Sequence, residues 1–497
     1  MISSQVKRAG INALLFLLTT YLVWIRDLYP LIFIFSAIFF AILNDLKNTH
    51  AAIAIICSFF LFLSLNFQAT HWLLDTKYGE KALQVYLANS VLMTVPVTIW
   101  YLGNKYLKFN LFHFIPIWTA FEFVHLHWSL SWPWLTLGHT LSRVPSIIQW
   151  YEYTGVLGGT IWILLVGIWL FRFYSDRVKF KNSIVFACLL SMPLVLSFIL
   201  KREEKTEGSL KVTIVQPNLS HDYSSNTSRI NTLIKNLKNN VPRETSYILL
   251  PEYTLNDSIY TDDIKKCFEV KILQNYLKNN LKSGTRIILG LELLESNPNE
   301  SIIKKFNALA EIDSSGLRSL YFKNKYIPFQ EVIPKGFEFL GFTSANYSLA
   351  KNSSLDFENQ NNSFLPILAI CYESIYGEYL SLQSTKEPSA IFMFSNEGFL
   401  NQSKGKDQYF SFIRLRAIEL RKEIARTSNL GYAAIIDQNG MLRKVSRSDE
   451  FAIINDNLAL NNYETFYSRH GDYLGEISCL IIVVLFFVSL LKLITKK

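Results

Sequence analysis

The apolar residues of this chain are spread unevenly, and that unevenness constrains the fold more than any other feature. Apolar runs with few charges repeat from residue 11 to residue 200, and one more covers 477–493. Between them lies a stretch of ordinary charge content that alternates strand-like and helix-like patterns. A hydrophobic helix needs about 20 residues to cross the hydrocarbon core of a bilayer. The runs therefore predict spans near 9–25, 29–43, 51–67, 84–103, 109–126, 155–173, 182–200 and 476–493. This is a multi-span α-helical membrane bundle carrying one α/β insert. The expected boundaries are a membrane domain over 1–205, an insert over 206–475, and a closing helix with a short tail over 476–497.

Lysine and arginine positions give the sidedness. With the N-terminus inside, Lys7, Arg8, Lys47, Lys105, Lys108, Arg172, Arg177, Lys179, Lys181, Lys492, Lys496 and Lys497 share one side. The opposite short loops hold Arg26, Lys77, Lys81 and Arg143. Positive residues gather on the cytoplasmic side, so seven preceding spans put the insert on the outer face. The net charge of +9 is distributed in this way and forms no patch or tail of the kind that binds nucleic acid. Lys7 and Arg8 before an apolar run mimic a signal peptide, but no small-residue cleavage site follows. The run reads as a retained helix.

Five cysteines, Cys57, Cys188, Cys267, Cys371 and Cys479, form no CxxC pair, so a zinc or redox motif has no support. His125 and His127 read as polar residues at a membrane surface, not as metal ligands. Between two spans, "FEFVHLHWSLSWPWLTLGHTL" (121–141) clusters Trp128, Trp132, Pro133 and Trp134 ahead of Gly138. That density suggests a re-entrant or groove-lining piece, beyond ordinary interfacial anchoring. Glu122 is costly near a span end and must be placed for a reason.

Within the insert, strands are expected at 210–218, 246–254, 285–294, 305–313, 317–325, 364–373, 389–397 and 431–440. Helical spacing marks "INTLIKNLKNN" and "YFSFIRLRAIELRKEIARTS". Continuous apolar strands imply sheets covered on both faces. Polar chemistry falls at the strand ends: Glu252 after one, Lys323 at the end of another, Cys371 capping a third. In α/β folds such ends converge on sites. Taken singly, Glu252 fits a turn, Lys323 a solvated lysine, and Cys371 a packed thiol or the partner of Cys267 in a disulfide. The segment 334–347, apolar and punctuated by glycine, fits either a membrane-dipping lid or a packed loop. The basic residues Arg414, Arg416, Arg421, Lys422 and Arg426 fit a solvated helix face better than a lipid-phosphate site.

Together these residues carry a resemblance. "LLPEYT", "YFKNKYIPFQEVIP" and "ICYESIYGEY" are similar to the glutamate, lysine and nucleophile segments of the nitrilase (carbon–nitrogen hydrolase) superfamily. With membrane spans on both sides, and with "SWPWLTLGHTL", "FSNEGF" and "RLRAIELRKEIARTSNLG", nearly the whole chain resembles the apolipoprotein N-acyltransferases. The resemblance implies a nitrilase-like αββα sandwich with Glu252, Lys323 and Cys371 as catalytic residues. It makes Glu331 a second glutamate and Tyr372, Glu373 and Asn396 supporting residues, with Tyr223, Trp134, Phe329 and Phe399 near a lipid groove. Glu331 and Glu373 are expected to hold the lysine. The implied partners are a phospholipid donor, phosphatidylethanolamine in the family, and a diacylated apolipoprotein acceptor. The implied enzyme is a monomer of the bacterial inner membrane, working on the periplasmic side without metal or cofactor. Gln330 replaces a usual glycine, Phe399 and Leu400 replace an aromatic pair, and the Gly-Asp that usually follows is missing. A membrane-tethered amidohydrolase would keep the triad but need only one anchor, and a non-catalytic lipid-binding relative would have no use for the triad.

Overall fold

The apolar runs of the N-terminal stretch fold as helices in the computed structural model, which describes residues 4–76, 79–175, 180–201, 206–219, 225–296, 303–340, 344–348, 364–401 and 403–494. The helices are α1 (Ser4–Thr20), α2 (Ile32–Leu46), α3 (Ala51–Ala69), α4 (Ala82–Leu107), α5 (Phe114–His127), α6 (Tyr151–Ser175) and α7 (Phe180–Leu200). With their short flanking turns, six stretches among the described residues are long and apolar enough to cross a membrane: Lys7–Ile25, Tyr29–Leu46, Ala51–Ala69, Gly79–Leu107, Tyr151–Ser175 and Ser183–Leu200. The span expected over 109–126 is shorter than a full crossing, because α5 has only 14 residues. Its start is set by Asn110, which caps the preceding turn by accepting from the Phe112 N–H at 3.0 Å.

The chain forms two compact units, Met1–Lys201 with His470–Lys497, and Arg202–Arg469. In the first, Glu122 is buried and accepts from Trp118 Nε1 at 2.8 Å, the Leu137 N–H at 2.9 Å and Thr160 Oγ1 at 2.6 Å. One carboxylate thus ties α5, α6 and the intervening segment together, which is the reason its position required. That segment runs as short 3₁₀ turns at Pro133–Leu135, Leu137–Arg143 and Pro145–Ile147, mostly buried.

The second unit carries β1 (Gly208–Gln216), α8 (Asn226–Asn240), β2 (Tyr247–Leu249), β3 (Leu255–Tyr260), α9 (Phe268–Asn280), β4 (Arg286–Ser296), β5 (Ile303–Asp313) and β6 (Gly316–Phe322). It continues with β7 (Ile367–Ile370), α10 (Gly377–Ser381), β8 (Ile391–Asn396), α11 (Ser403–Leu420), β9 (Ile424–Asn429), β10 (Ala434–Ile436), β11 (Leu442–Val445), β12 (Ala452–Leu460) and α12 (Phe466–His470). After it, α13 (Tyr473–Ile494) returns to the first unit.

Among the described residues the strands make two sheets. The larger runs β12-β1-β2-β4-β5-β6 with β3 also on β4, and the smaller runs β11-β10-β9-β8-β7. Side-chain alternation explains the layers. Ile248, Leu250, Ile287, Leu289, Ala308 and Ala310 pack with Leu233, Leu237, Leu273 and Leu277 of α8 and α9. Their neighbours Tyr247, Leu249, Ile288 and Leu309 face Leu368, Ile370, Phe392, Phe394, Ala425 and Ile435 of the smaller sheet. Two sheets in contact, with helices outside, form an αββα sandwich.

The helix expected over 409–428 ends at Leu420. Arg421 has a left-handed φ of +50°, and Ile424–Asn429 becomes a strand of the smaller sheet, paired in parallel with β8 and antiparallel with β10. The solvated basic face is likewise overturned: Arg416, Arg421, Lys422 and Arg426 are all buried, and Arg414 is half-buried. They hold carbonyls and carboxylates inside the fold, with Arg416 paired to Glu419 at 2.8 Å. Of 334–347, residues 341–343 lie outside the described part. The far end is tied back by Ala345 N–H to Gln330 O at 2.9 Å and Tyr347 N–H to Glu331 O at 3.1 Å.

Candidate active site

β2 and β3 lie along the same side of β4, Leu249 opposite Ile288 and Leu255 opposite Leu291. The bend between them presents Glu252. This bend rests on Gly290, where an added Cβ would stand 2.5 Å from Glu252 Cα, so only glycine lets the two backbones approach this closely. Tyr253 takes φ +56° to complete the turn. Lys323 follows β6, its N–H bonded to Asn307 O of β5 at 2.9 Å. Cys371 follows β7 directly, with φ +48°, opening the 3₁₀ turn Cys371–Ile375.

The Lys323 ammonium is fully buried and clamped between two carboxylates, 2.7 Å from Glu331 Oε1 and 3.2 Å from Glu252 Oε1. Glu252 also accepts from Asn307 Nδ2 at 2.7 Å and, through Oε2, from the Asn396 N–H at 3.0 Å. Glu331 Oε2 accepts from the Ile327 N–H at 2.8 Å, which closes the loop between lysine and glutamate. Burial works against the Lys323 charge, yet Glu252 and Glu331 together hold its ammonium well above the ordinary lysine range. Burial raises the Glu252 carboxyl; Lys323 opposes this and Glu331 adds to it. Burial also pushes the Cys371 thiol up, with Glu252 adding and Lys323 opposing. These directions describe a neutral thiol near an ion-paired carboxylate.

Glu373 does something other than hold the lysine. Fully buried, it accepts from the Asn324 N–H at 2.5 Å, the Ile370 N–H at 2.8 Å and Tyr321 Oη at 2.9 Å. It therefore links the backbone just past Lys323 to the backbone just before Cys371. Burial pushes it up to about 7, against those donors. The buried Tyr372 packs edge-on to Tyr376, with ring centroids 5.3 Å apart. Phe329, at φ +60°, packs edge-on to Phe337 in the turn that carries Glu331. Phe399 is half-buried beyond β8 and Leu400 is buried. Trp134 belongs to the membrane unit, stacked on Trp132 at 5.2 Å and tilted against Trp72 at 5.3 Å. Tyr223 lies outside the described residues. Cys267 is a free thiol donating to Glu269 Oε2 at 2.9 Å, so Cys371 forms no disulfide with it.

Sequence reasoning missed Asn307, which grips Glu252 and the Lys323 backbone at once. Its signal was present, as a lone amide within the buried run of β5. Ser395 and Tyr409, both touching Cys371, gave no comparable signal.

Apolar helices of bilayer length are thus followed in the chain by an αββα unit that buries a carboxylate, an ammonium and a thiol. Residues 13–169 match the apolipoprotein N-acyltransferase N-terminal domain. Over 437 residues the chain is 28% identical to the apolipoprotein N-acyltransferase of Wigglesworthia glossinidia brevipalpis, covering 83% of each chain. The enzyme of the same name from Chlorobaculum tepidum is 22% identical, over 78% of this chain and 79% of its own. That from Pasteurella multocida is 24% identical, over 76% and 74%. Among solved structures, a Saccharomyces cerevisiae member of branch 10 of the nitrilase superfamily overlaps 52% of this chain and 93% of its own, at 18% identity and a TM-score of 0.37. Over more than three quarters of its length the chain is thus similar to apolipoprotein N-acyltransferases.

Proposed function

We propose that this chain moves an acyl chain from a phospholipid to the α-amino group of the S-diacylglyceryl-cysteine of lipoproteins, through a thioester on Cys371. The observation that carries the proposal is the Lys323 ammonium clamped by Glu252 and Glu331 beside a left-handed cysteine, in a chain whose described residues include six bilayer-length helices. Both substrates are lipids, which gives the membrane unit a purpose.

A neutral thiol is a weak nucleophile and needs a base. In the first half-reaction Glu252 takes the Cys371 S–H proton as sulfur attacks the ester carbonyl. The tetrahedral oxyanion is met by Lys323, whose charge is held by its carboxylates. Collapse breaks the acyl C–O bond, and Glu252 passes its proton to the departing oxygen, releasing a lysophospholipid. In the second half-reaction the neutral amine attacks the thioester, Glu252 takes one N–H proton, the C–S bond breaks, and the proton returns to sulfur. Glu331 keeps Lys323 in place, and Glu373 positions the backbone around both groups.

Phosphatidylethanolamine as donor, a monomeric enzyme, the inner membrane and a periplasmic insert complete the proposal, the last on the strength of the lysine and arginine distribution. So does the division at 205/206 and 475/476. The test is to incubate purified protein with phospholipid and a diacylated lipopeptide. Transfer of one chain to the lipopeptide amine, abolished by Cys371→Ser, is expected. Release of free fatty acid without transfer would overturn the proposal in favour of hydrolysis.

A further inference from the structure

Behind the nucleophile lies a fully buried ion pair that the chemistry above does not use. Arg426 of β9 is paired with Glu397, just beyond β8, and both are buried. Burying such a pair costs several kcal/mol of desolvation per ion, and apolar residues of similar volume often serve stability as well. Stability is therefore a poor reason for its presence, and its connections give a better one.

Glu397 Oε1 accepts from Ser395 Oγ at 2.9 Å and from Ser428 Oγ at 3.1 Å, and the same Ser395 side chain neighbours the Cys371 thiol. The Arg426 guanidinium lies over the Tyr409 ring, 5.4 Å from its centroid, and donates to Tyr432 O. Tyr409 Oη donates to Cys371 O at 2.7 Å and lies 2.9 Å from Ser374 Oγ, which donates to the same carbonyl at 2.8 Å. One path from the pair thus reaches the sulfur, the other the carbonyl. Between the two contacts sits a non-glycine residue at φ +48°, a strained conformation that persists only where its surroundings impose it. Space is kept for the pair as well: a Cβ on Gly431 would stand 2.1 Å from Glu397 Oε2.

We propose that the Arg426–Glu397 ion pair is a positioning unit for Cys371, setting Ser395 against its sulfur and Tyr409 beneath its carbonyl. The proposal rests on the assignment of Cys371 as nucleophile, and the test separates the two. Full-length Glu397→Gln and Gly431→Ala are compared with wild type in acyl transfer, in alkylation of Cys371 by iodoacetamide read by peptide mass, and in thermal melting. Gly431→Ala crowds the carboxylate without removing any charge, so it keeps the proposal testable if Glu397→Gln fails to fold. Misplacement by about 1 Å can cost on the order of 10²-fold in turnover. The expected result is a loss of that order in kcat, KM within about threefold of wild type, and an altered alkylation rate per folded molecule. Unchanged kcat, or a loss that merely follows the folded fraction with unchanged alkylation, would overturn it. Activity surviving in Cys371→Ser would instead remove the nucleophile assignment on which it rests.

Discussion

Gly290 and Glu252 are in backbone contact: a Cβ added to Gly290 would lie 2.5 Å from Glu252 Cα and 2.8 Å from Pro251 O. Glu252, the proposed general base, is therefore placed by β4 as well as by its own bend. Gly290→Ala should push the bend away from β4. Overpacking of this kind costs about 1–3 kcal/mol, and displacement of the base should lower kcat on the order of 10²-fold. Thermal melts and acyl-transfer kinetics on one preparation check both effects.

Glu331→Gln leaves Lys323 with one carboxylate in a fully buried site. Because Glu252 still pairs with Lys323, the loss should be smaller than the about 3–5 kcal/mol of stranding a buried charge outright. Part of that loss should appear as lower stability and part as a lower kcat, with KM little moved, since the lysine serves the tetrahedral state more than the ground state. A change in KM alone would contradict this role.

The pH dependence of thioester formation follows from Glu252. Its carboxyl is raised by burial, and it works as a base only when ionised. Single-turnover acylation should therefore fall as pH is lowered through a value above the ordinary carboxylate range, and rise to a plateau above it. Glu252→Gln should be inactive at every pH. An acidic limb at an ordinary carboxylate value would contradict the assignment.

Glu373 gives a stability test of opposite form. Its folded pKa of about 7 is raised above the unfolded value. Its protonation favours the folded state, so its contribution is full below the unfolded carboxylate pKa and is lost as pH rises through about 7. The stability difference between wild type and Glu373→Gln should change across that window and be flat above it. Because Glu373 spans the backbones at Asn324 and Ile370, the variant should also turn over more slowly.

How much of this was legible in the sequence depended on range. Glu252, Lys323 and Cys371 could be read because each interrupts or ends an apolar run, a local signal. Strand β9 could not, because Phe412, Leu415 and Ile418 set a helical spacing that no glycine or proline interrupts before Ile424. The helix stops at Arg421, a non-glycine residue held left-handed by its side-chain bonds to Gln438 O and Asn439 Oδ1. Buried arginines mislead for a related reason. Charges belong in water unless paired, and the pairing of Arg426 with Glu397 reaches across 29 positions. The shortness of α5 was hidden too, since apolar residues continue through the turn that Asn110 caps.

The central claim is that Cys371 carries the acyl chain. Its most direct test is intact-protein mass measurement after mixing enzyme with phospholipid alone, with no acceptor present. The account predicts a mass gain of one acyl group, located on the Cys371 peptide, lost on addition of diacylated lipopeptide and absent in Cys371→Ser and Glu252→Gln. Transfer to the lipopeptide with no acyl group ever found on Cys371 would contradict it.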